Sequence, residues 1–116
     1  MLISHHAFMP YRVEYDNEGV LADIERWPVG IVADYARLVE LLVEYGPDLR
    51  MPHTRALGGG LFELRLRGRE GIARALYCYL AGKRVVVLHA VINKTQVAPK
   101  RDLEIARRRM KEVRDG

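Results

Sequence analysis

Gly60-Leu-Phe-Glu-Leu-Arg-Leu-Arg67, Gly71-Ile-Ala-Arg-Ala-Leu-Tyr-Cys-Tyr-Leu80 and Lys83-Arg-Val-Val-Val-Leu-His-Ala-Val-Ile-Asn-Lys94 decide the fold of this chain. Each run is apolar-rich and of strand length, and only Gly68-Arg-Glu-Gly71 and Ala81-Gly82 separate them. Connections that short join antiparallel neighbours, with glycine where a turn needs positive φ. The stretch therefore predicts a three-stranded antiparallel meander. It also carries a dense set of chemically capable side chains: Glu63, Arg65, Arg67, Arg74, Tyr77, Tyr79, His89 and Lys94.

Upstream of the meander, Asp48 to Gly60 reads as a connection. Its glycine triplet, Gly58 to Gly60, is followed by neither a Gly-Lys-Ser/Thr pattern nor a helix, so it predicts a turn into a strand and not a phosphate cradle. His53 in this polar connection reads as a surface residue. Before it, Ile31, Tyr35, Leu38, Leu42 and Tyr45 step by four and three, with Asp34, Arg37, Glu40 and Glu44 on the other side. That is an amphipathic helix, opened by Pro28 and ended by Gly46-Pro47. A shorter helix runs through Arg26, capped by Asp16 or Asn17. Tyr11-Arg-Val-Glu-Tyr15 alternates as a half-exposed strand does, and residues 1–10 read as a loose leader in which His5-His6 is a weak metal signal. Downstream, Pro99 to about Arg114 predicts a basic helix with a thin apolar seam of Leu103, Ala106, Met110 and Val113.

The expected fold class is α+β. A small antiparallel sheet, made of the N-terminal strand plus the three-strand meander, carries two N-terminal helices packed on one face, with a basic C-terminal helix to follow. The whole of 1–116 forms one domain, large enough for a single core. No apolar run approaches the ~20 residues of a membrane span, and the first ten residues lack the charged and apolar regions of a signal peptide. The lone Cys78 lies within a strand and reads as a small buried hydrophobe. These features predict a cytoplasmic protein. Charge is unevenly distributed along the chain. Residues 1–49 hold three arginines against nine acids, a net of −6, whereas residues 50–116 hold sixteen Lys/Arg against six acids, a net of +10. A basic second half suits a polyanionic partner, with a merely solvated basic face as the bland alternative.

Alternation along the first meander strand puts Leu61, Glu63, Arg65 and Arg67 on one side and Phe62, Leu64 and Leu66 on the other. The apolar side should face the helices, leaving Glu63 and Arg65 on an open face or its rim. Arg74, flanked by small apolar residues at mid-strand, needs a partner, and Glu63 or a bound phosphate would serve. The facing of the third strand is undetermined because both of its alternating series are apolar. Arginines, a lysine, a carboxylate and tyrosines on one sheet surface suit phosphodiester chemistry. Guanidinium forks bind phosphate oxygens, a carboxylate or lysine can take a 2′-hydroxyl proton, and a tyrosine can stack a base. No acidic cluster or Cys/His ligand set points to a metal, so the expected chemistry needs no metal or other cofactor. The competing reading makes Glu63 and Arg65 ordinary cross-strand ion pairs.

The order of motifs resembles a known family. Leu57-Gly-Gly-Gly-Leu-Phe-Glu-Leu-Arg65, Arg74-Ala-Leu-Tyr77, Val87-Leu-His-Ala-Val-Ile-Asn-Lys-Thr-Gln-Val-Ala-Pro99 and Glu104-Ile-Ala-Arg-Arg-Arg109 resemble the HigB-like, phage-related branch of the RelE/ParE toxin superfamily. Leu41-Leu-Val-Glu-Tyr-Gly-Pro-Asp-Leu49 fits the same pattern. The resemblance implies a type II toxin: a metal-free endoribonuclease that cleaves mRNA on the ribosome and is neutralised by a helix-turn-helix antitoxin from the same operon. It allows a homodimer or a toxin–antitoxin heterotetramer. By position it makes Arg65, Arg74, Lys94 and Glu63 the catalytic candidates, and Arg67, Tyr77, His89, Lys100, Arg101 and Arg108 the RNA-binding ones. Asn93 stands where many relatives carry the first of two lysines, and the tyrosine some carry near the C-terminus is absent. The superfamily also offers two other outcomes, a ParE-like protein that inhibits DNA gyrase by binding and an inactive, prophage-derived member.

Overall fold

A computed structural model describes residues 10–116, so His5-His6 and all but the last residue of the expected leader lie outside the described residues. The elements in chain order are β1 (Arg12–Tyr15), α1 (Glu18–Glu25), α2 (Val29–Tyr45), β2 (Thr54–Gly58), β3 (Leu61–Gly68), β4 (Gly71–Leu80), β5 (Arg84–Asn93) and α3 (Lys100–Asp115). Asn17 caps α1 by accepting the Val20 N–H, and Gly46 closes α2. The meander β3–β4–β5 forms as the short turns require, with each neighbouring pair antiparallel.

Three features depart from the sequence expectation. The connection before the meander contains a fifth strand, β2, which pairs with β3 through the Gly58–Gly60 turn. All three of those glycines have positive φ, which lets so short a hairpin close. The N-terminal strand does join the sheet, but it runs parallel to β5, giving a mixed sheet of order β1-β5-β4-β3-β2. Arg84 fastens that pairing by donating from Nε and Nη2 to the Glu14 carboxylate at 2.8–3.1 Å.

The third departure concerns the face expected to be open. Helices α1 and α2 cover one face through Val20, Ile24, Ile31, Tyr35, Leu38 and Leu42, which meet Leu64, Leu66, Ala73, Ala75 and Tyr77. Helix α3 packs on the opposite face, where Ala106 and Met110 meet Leu61, Leu76, Cys78, Val86 and Leu88. Strand β4 has apolar residues in both alternating series because it is buried on both sides. Its ladder with β5 slips at one point, since Leu76 pairs with His89 and Tyr77 with Val87, leaving Leu88 as the extra residue of a β-bulge. The bulge reverses the facing of β5 part-way. Val85 and Val87 lie in the α1–α2 core, and so do Ala90 and Ile92 beyond the slip. That reversal is why alternation could not assign this strand.

Candidate active site

Helix α3 covers only part of its face of the sheet. Beyond its N-terminus, Arg65 of β3 and Arg74 of β4 are register partners, and Asn93 ends β5 opposite Ile72. The segment from Lys94 to Pro99 then crosses over them on its way to α3. Arg74 is wholly buried and Glu63 is 3% exposed. Arg74 Nε lies 3.0 Å from Glu63 Oε1, Nη1 donates to Asn93 Oδ1 at 2.9 Å, and Nη2 donates to the Thr95 carbonyl at 2.6 Å. Burial pushes the Arg74 guanidinium below the ordinary arginine range, the Glu63 carboxylate pulls it back up, and the cations of Arg65 and Arg67 push it down again. Asn93 Oδ1 also accepts from the backbone N–H and hydroxyl of Thr95. The buried pair therefore holds the crossing segment in place, and Arg65 reaches the same segment by donating from Nη2 to Gln96 Oε1 at 3.1 Å.

This cluster leaves polar hydrogens unspent. Arg65 Nε and Asn93 Nδ2 are buried and make no hydrogen bond, whereas Arg74 Nε lies against the Glu63 carboxylate. Two buried donors beside the Arg74–Glu63 pair, with Arg67 and Lys94 exposed, favour an anionic oxygen-rich ligand. Lys94 makes no ion pair among the described residues. Among the described residues no three His, Cys, Asp or Glu side chains gather as a metal would require.

Residues 22–111, from α1 into α3, match the family described as "Phage derived protein Gp49-like (DUF891)". The chain belongs to this Gp49-like, phage-derived family. No curated protein sequence matches it. Among solved structures, a double arginine-to-alanine mutant of the E. coli toxin RelE in the free state superposes with a TM-score of 0.60 at 15% identity, covering 90% of this chain and 99% of that one. The archaeal RelE–RelB complex from Pyrococcus horikoshii OT3 gives a TM-score of 0.54 at 20% identity, covering 77% and 100%. This Gp49-like chain, with a mixed five-stranded sheet and three α-helices among the described residues, thus has a RelE-like fold.

The Gp49-like chain brings Glu63, Arg65 and Arg74 together on the α3 side of the sheet, with Arg67 next on the same side of β3 and Lys94 exposed just past the end of β5, and it separates the remaining candidates from them. Tyr77, expected as a stacking platform, is 1% exposed on the opposite face, beside Phe62 and Tyr79 in the α1–α2 core. No base can reach it, because odd-numbered β4 residues face those helices. His89 is held between β5 and α3, with Nε2 at 2.7 Å from Asp102 Oδ1 and Nδ1 at 3.4 Å from Arg109 Nη1. It clamps the helix to the sheet. Lys100, Arg101 and Arg108 lie exposed on α3. Other α3 arginines have structural work: Arg107 donates to the Leu57 and Gly58 carbonyls, Arg114 to Gly59 and Arg109 to Leu88. The partners Asn93, Thr95 and Gln96 escaped the sequence reading. The only signal was a polar run directly after a strand, and nothing in it named Arg74 as its target.

Proposed function

We propose that this protein is the toxin of a type II toxin–antitoxin pair, of the HigB-like kind, and that it cleaves mRNA on the ribosome by metal-free transesterification. The observation that carries the reading is the pair of unspent donors of Arg65 and Asn93 above the buried Arg74 cation, with Arg67 and Lys94 exposed. In the reaction the ribose 2′-oxygen loses its proton and bonds to the adjacent phosphorus. The bond from phosphorus to the 5′-oxygen breaks, and that oxygen takes up a proton, leaving a 2′,3′-cyclic phosphate. Arg65 grips the non-bridging oxygens, which gain charge at the five-coordinate stage. Lys94 adds a mobile cation and is the proton carrier with the freest access. Arg74 acts from beneath, as fixed positive charge and as the anchor of the Asn93–Gln96 segment. Glu63 keeps Arg74 ionised and in place. Arg67 and the exposed α3 cations Lys100, Arg101 and Arg108 hold the flanking RNA.

The antitoxin would be a helix-turn-helix protein encoded beside the toxin. One structural neighbour is a RelE–RelB complex by its description, in keeping with a partner of this kind. A second reading, a ParE-like gyrase-binding protein or an inactive prophage-derived member, is favoured by one feature. The conventional bases near the sheet are engaged, Glu63 with Arg74 and His89 with Asp102.

The test is expression from a tight promoter with mapping of mRNA 5′ ends in wild type and Arg65→Ala. The nuclease reading expects new ends inside translated frames, falling by about 100-fold or more in the variant. Arrested growth with intact messages would instead support gyrase binding, and normal growth with intact messages an inactive member.

A further inference from the structure

Arg65 borders a second feature. A groove of about 390 Å³ runs between α2 and the β2–β3 edge, and its lining includes Arg37, Arg55, Arg65, Arg67 and His53 with a single acid, Asp34. Strand β2 is the last strand of the sheet, so the groove opens sideways to solvent. Arg37 approaches Asp34 only to 4.0 Å and is 59% exposed, a pairing too loose to neutralise it. Arg55 and Arg67 are exposed and form no ion pair among the described residues. Four guanidinium groups around one small space repel one another, one acid does not balance them, and a polyanion relieves that repulsion along the whole groove.

We propose that this groove is a flanking-nucleotide subsite, which binds the phosphates of single-stranded RNA next to the linkage held at Arg65; the assignment rests on the ribonuclease reading above. Arg65 is common to both places, so a strand whose scissile phosphate meets it lays the neighbouring phosphate between Arg55 and Arg67. Arg37 of α2 closes the far wall. Met51, 73% exposed, lines the same groove and offers a base an apolar surface. An acidic peptide would satisfy the arginines too, but it would have no reason to begin at Arg65.

The test measures binding of a labelled dinucleotide and hexanucleotide of 2′-O-methyl RNA, which lack the attacking hydroxyl, to wild type and to the double variant Arg37→Ala, Arg55→Ala. Both substitutions are on exposed side chains, and a thermal melt checks the fold. The wild type should hold the hexanucleotide about 10-fold more tightly than the dinucleotide, and the variant should lose most of that gain. The slope of log K against log salt for the hexanucleotide should fall in magnitude by about 1.4, because two phosphates are no longer neutralised by the protein. A variant that binds both lengths as the wild type does overturns the proposal. If that variant also binds purified antitoxin more weakly, the groove takes an acidic protein segment. Wild-type protein that cleaves no message yet keeps this length-dependent, variant-sensitive binding would bring down the nuclease reading and leave the subsite standing.

Discussion

Arg74 and Glu63 can be buried only because each neutralises the other, and removing one strands a charge. Glu63→Ala should destabilise the fold by about 3–5 kcal/mol in urea unfolding, whereas the apolar pair Glu63→Leu, Arg74→Met should cost far less than the two single changes together. Additive losses would show that the ion pair is not what holds this spot. The pairing was legible in the sequence, because an arginine among small residues at mid-strand needs a carboxylate and Glu63 lay on the matching strand. The depth of its burial was not, since it depends on where the Lys94–Pro99 segment crosses. Across the sheet, burial pushes the Tyr79 phenol up to about 12, and Tyr77 and Tyr35 are raised further, also mainly by burial. Unfolded phenols release protons near pH ~10, while the folded ones still hold theirs. The native state then binds more protons than the unfolded state, so stability falls as pH rises from about 10 toward 12. Melting temperatures taken from about pH 9 upward should show this decline, and Tyr79→Phe should make it shallower while the Tyr35 and Tyr77 contributions remain.

At the scale of elements, α3 decides how much of the sheet remains free. It was legible as a basic helix with a thin seam, but its docking site was not, because an apolar face and an open face look alike when a strand is apolar in both series. The bulge at Leu88 added a second obstacle, since strict alternation assigns every residue beyond it to the wrong side. That slip turns His89 toward Asp102 and makes it part of the helix attachment. His89→Ala should therefore lower stability by about 1–3 kcal/mol, yet leave mRNA cleavage nearly intact at temperatures where the fold persists. A variant of normal stability that had lost cleavage would return His89 to the RNA. Strand β2 escaped notice for a different reason. It is short and lies on the sheet edge, and its glycine-rich end has the composition of a loop.

The whole molecule is electrically lopsided. Exposed Glu18, Glu25, Asp34, Glu40, Glu44 and Asp48 belong to α1, α2 and the turn after it, while exposed Lys100, Arg101, Arg108 and Lys111 belong to α3 across the sheet. A polyanion is turned away from the outward faces of α1 and α2 and drawn to α3 and the arginine-lined sheet edge, so the partition of charge between the two halves of the sequence becomes an orientation in space. The chain halves gave that sign correctly because the helices that carry them pack on opposite faces. The parallel strand β1 has a further consequence, which concerns time. Glu14 and Arg84 lie 70 positions apart, so β1 finds its place only after β5 exists to receive it, whereas the meander pairs neighbours across tight turns. Pairings between distant segments form slowly, and a four-residue strand gains little by forming early. In pulse-labelled refolding, the amides of β4 should gain protection first and those of Arg12–Tyr15 last. Until that late step the β5 edge lies bare, and a newly made chain is at its most prone to join with another.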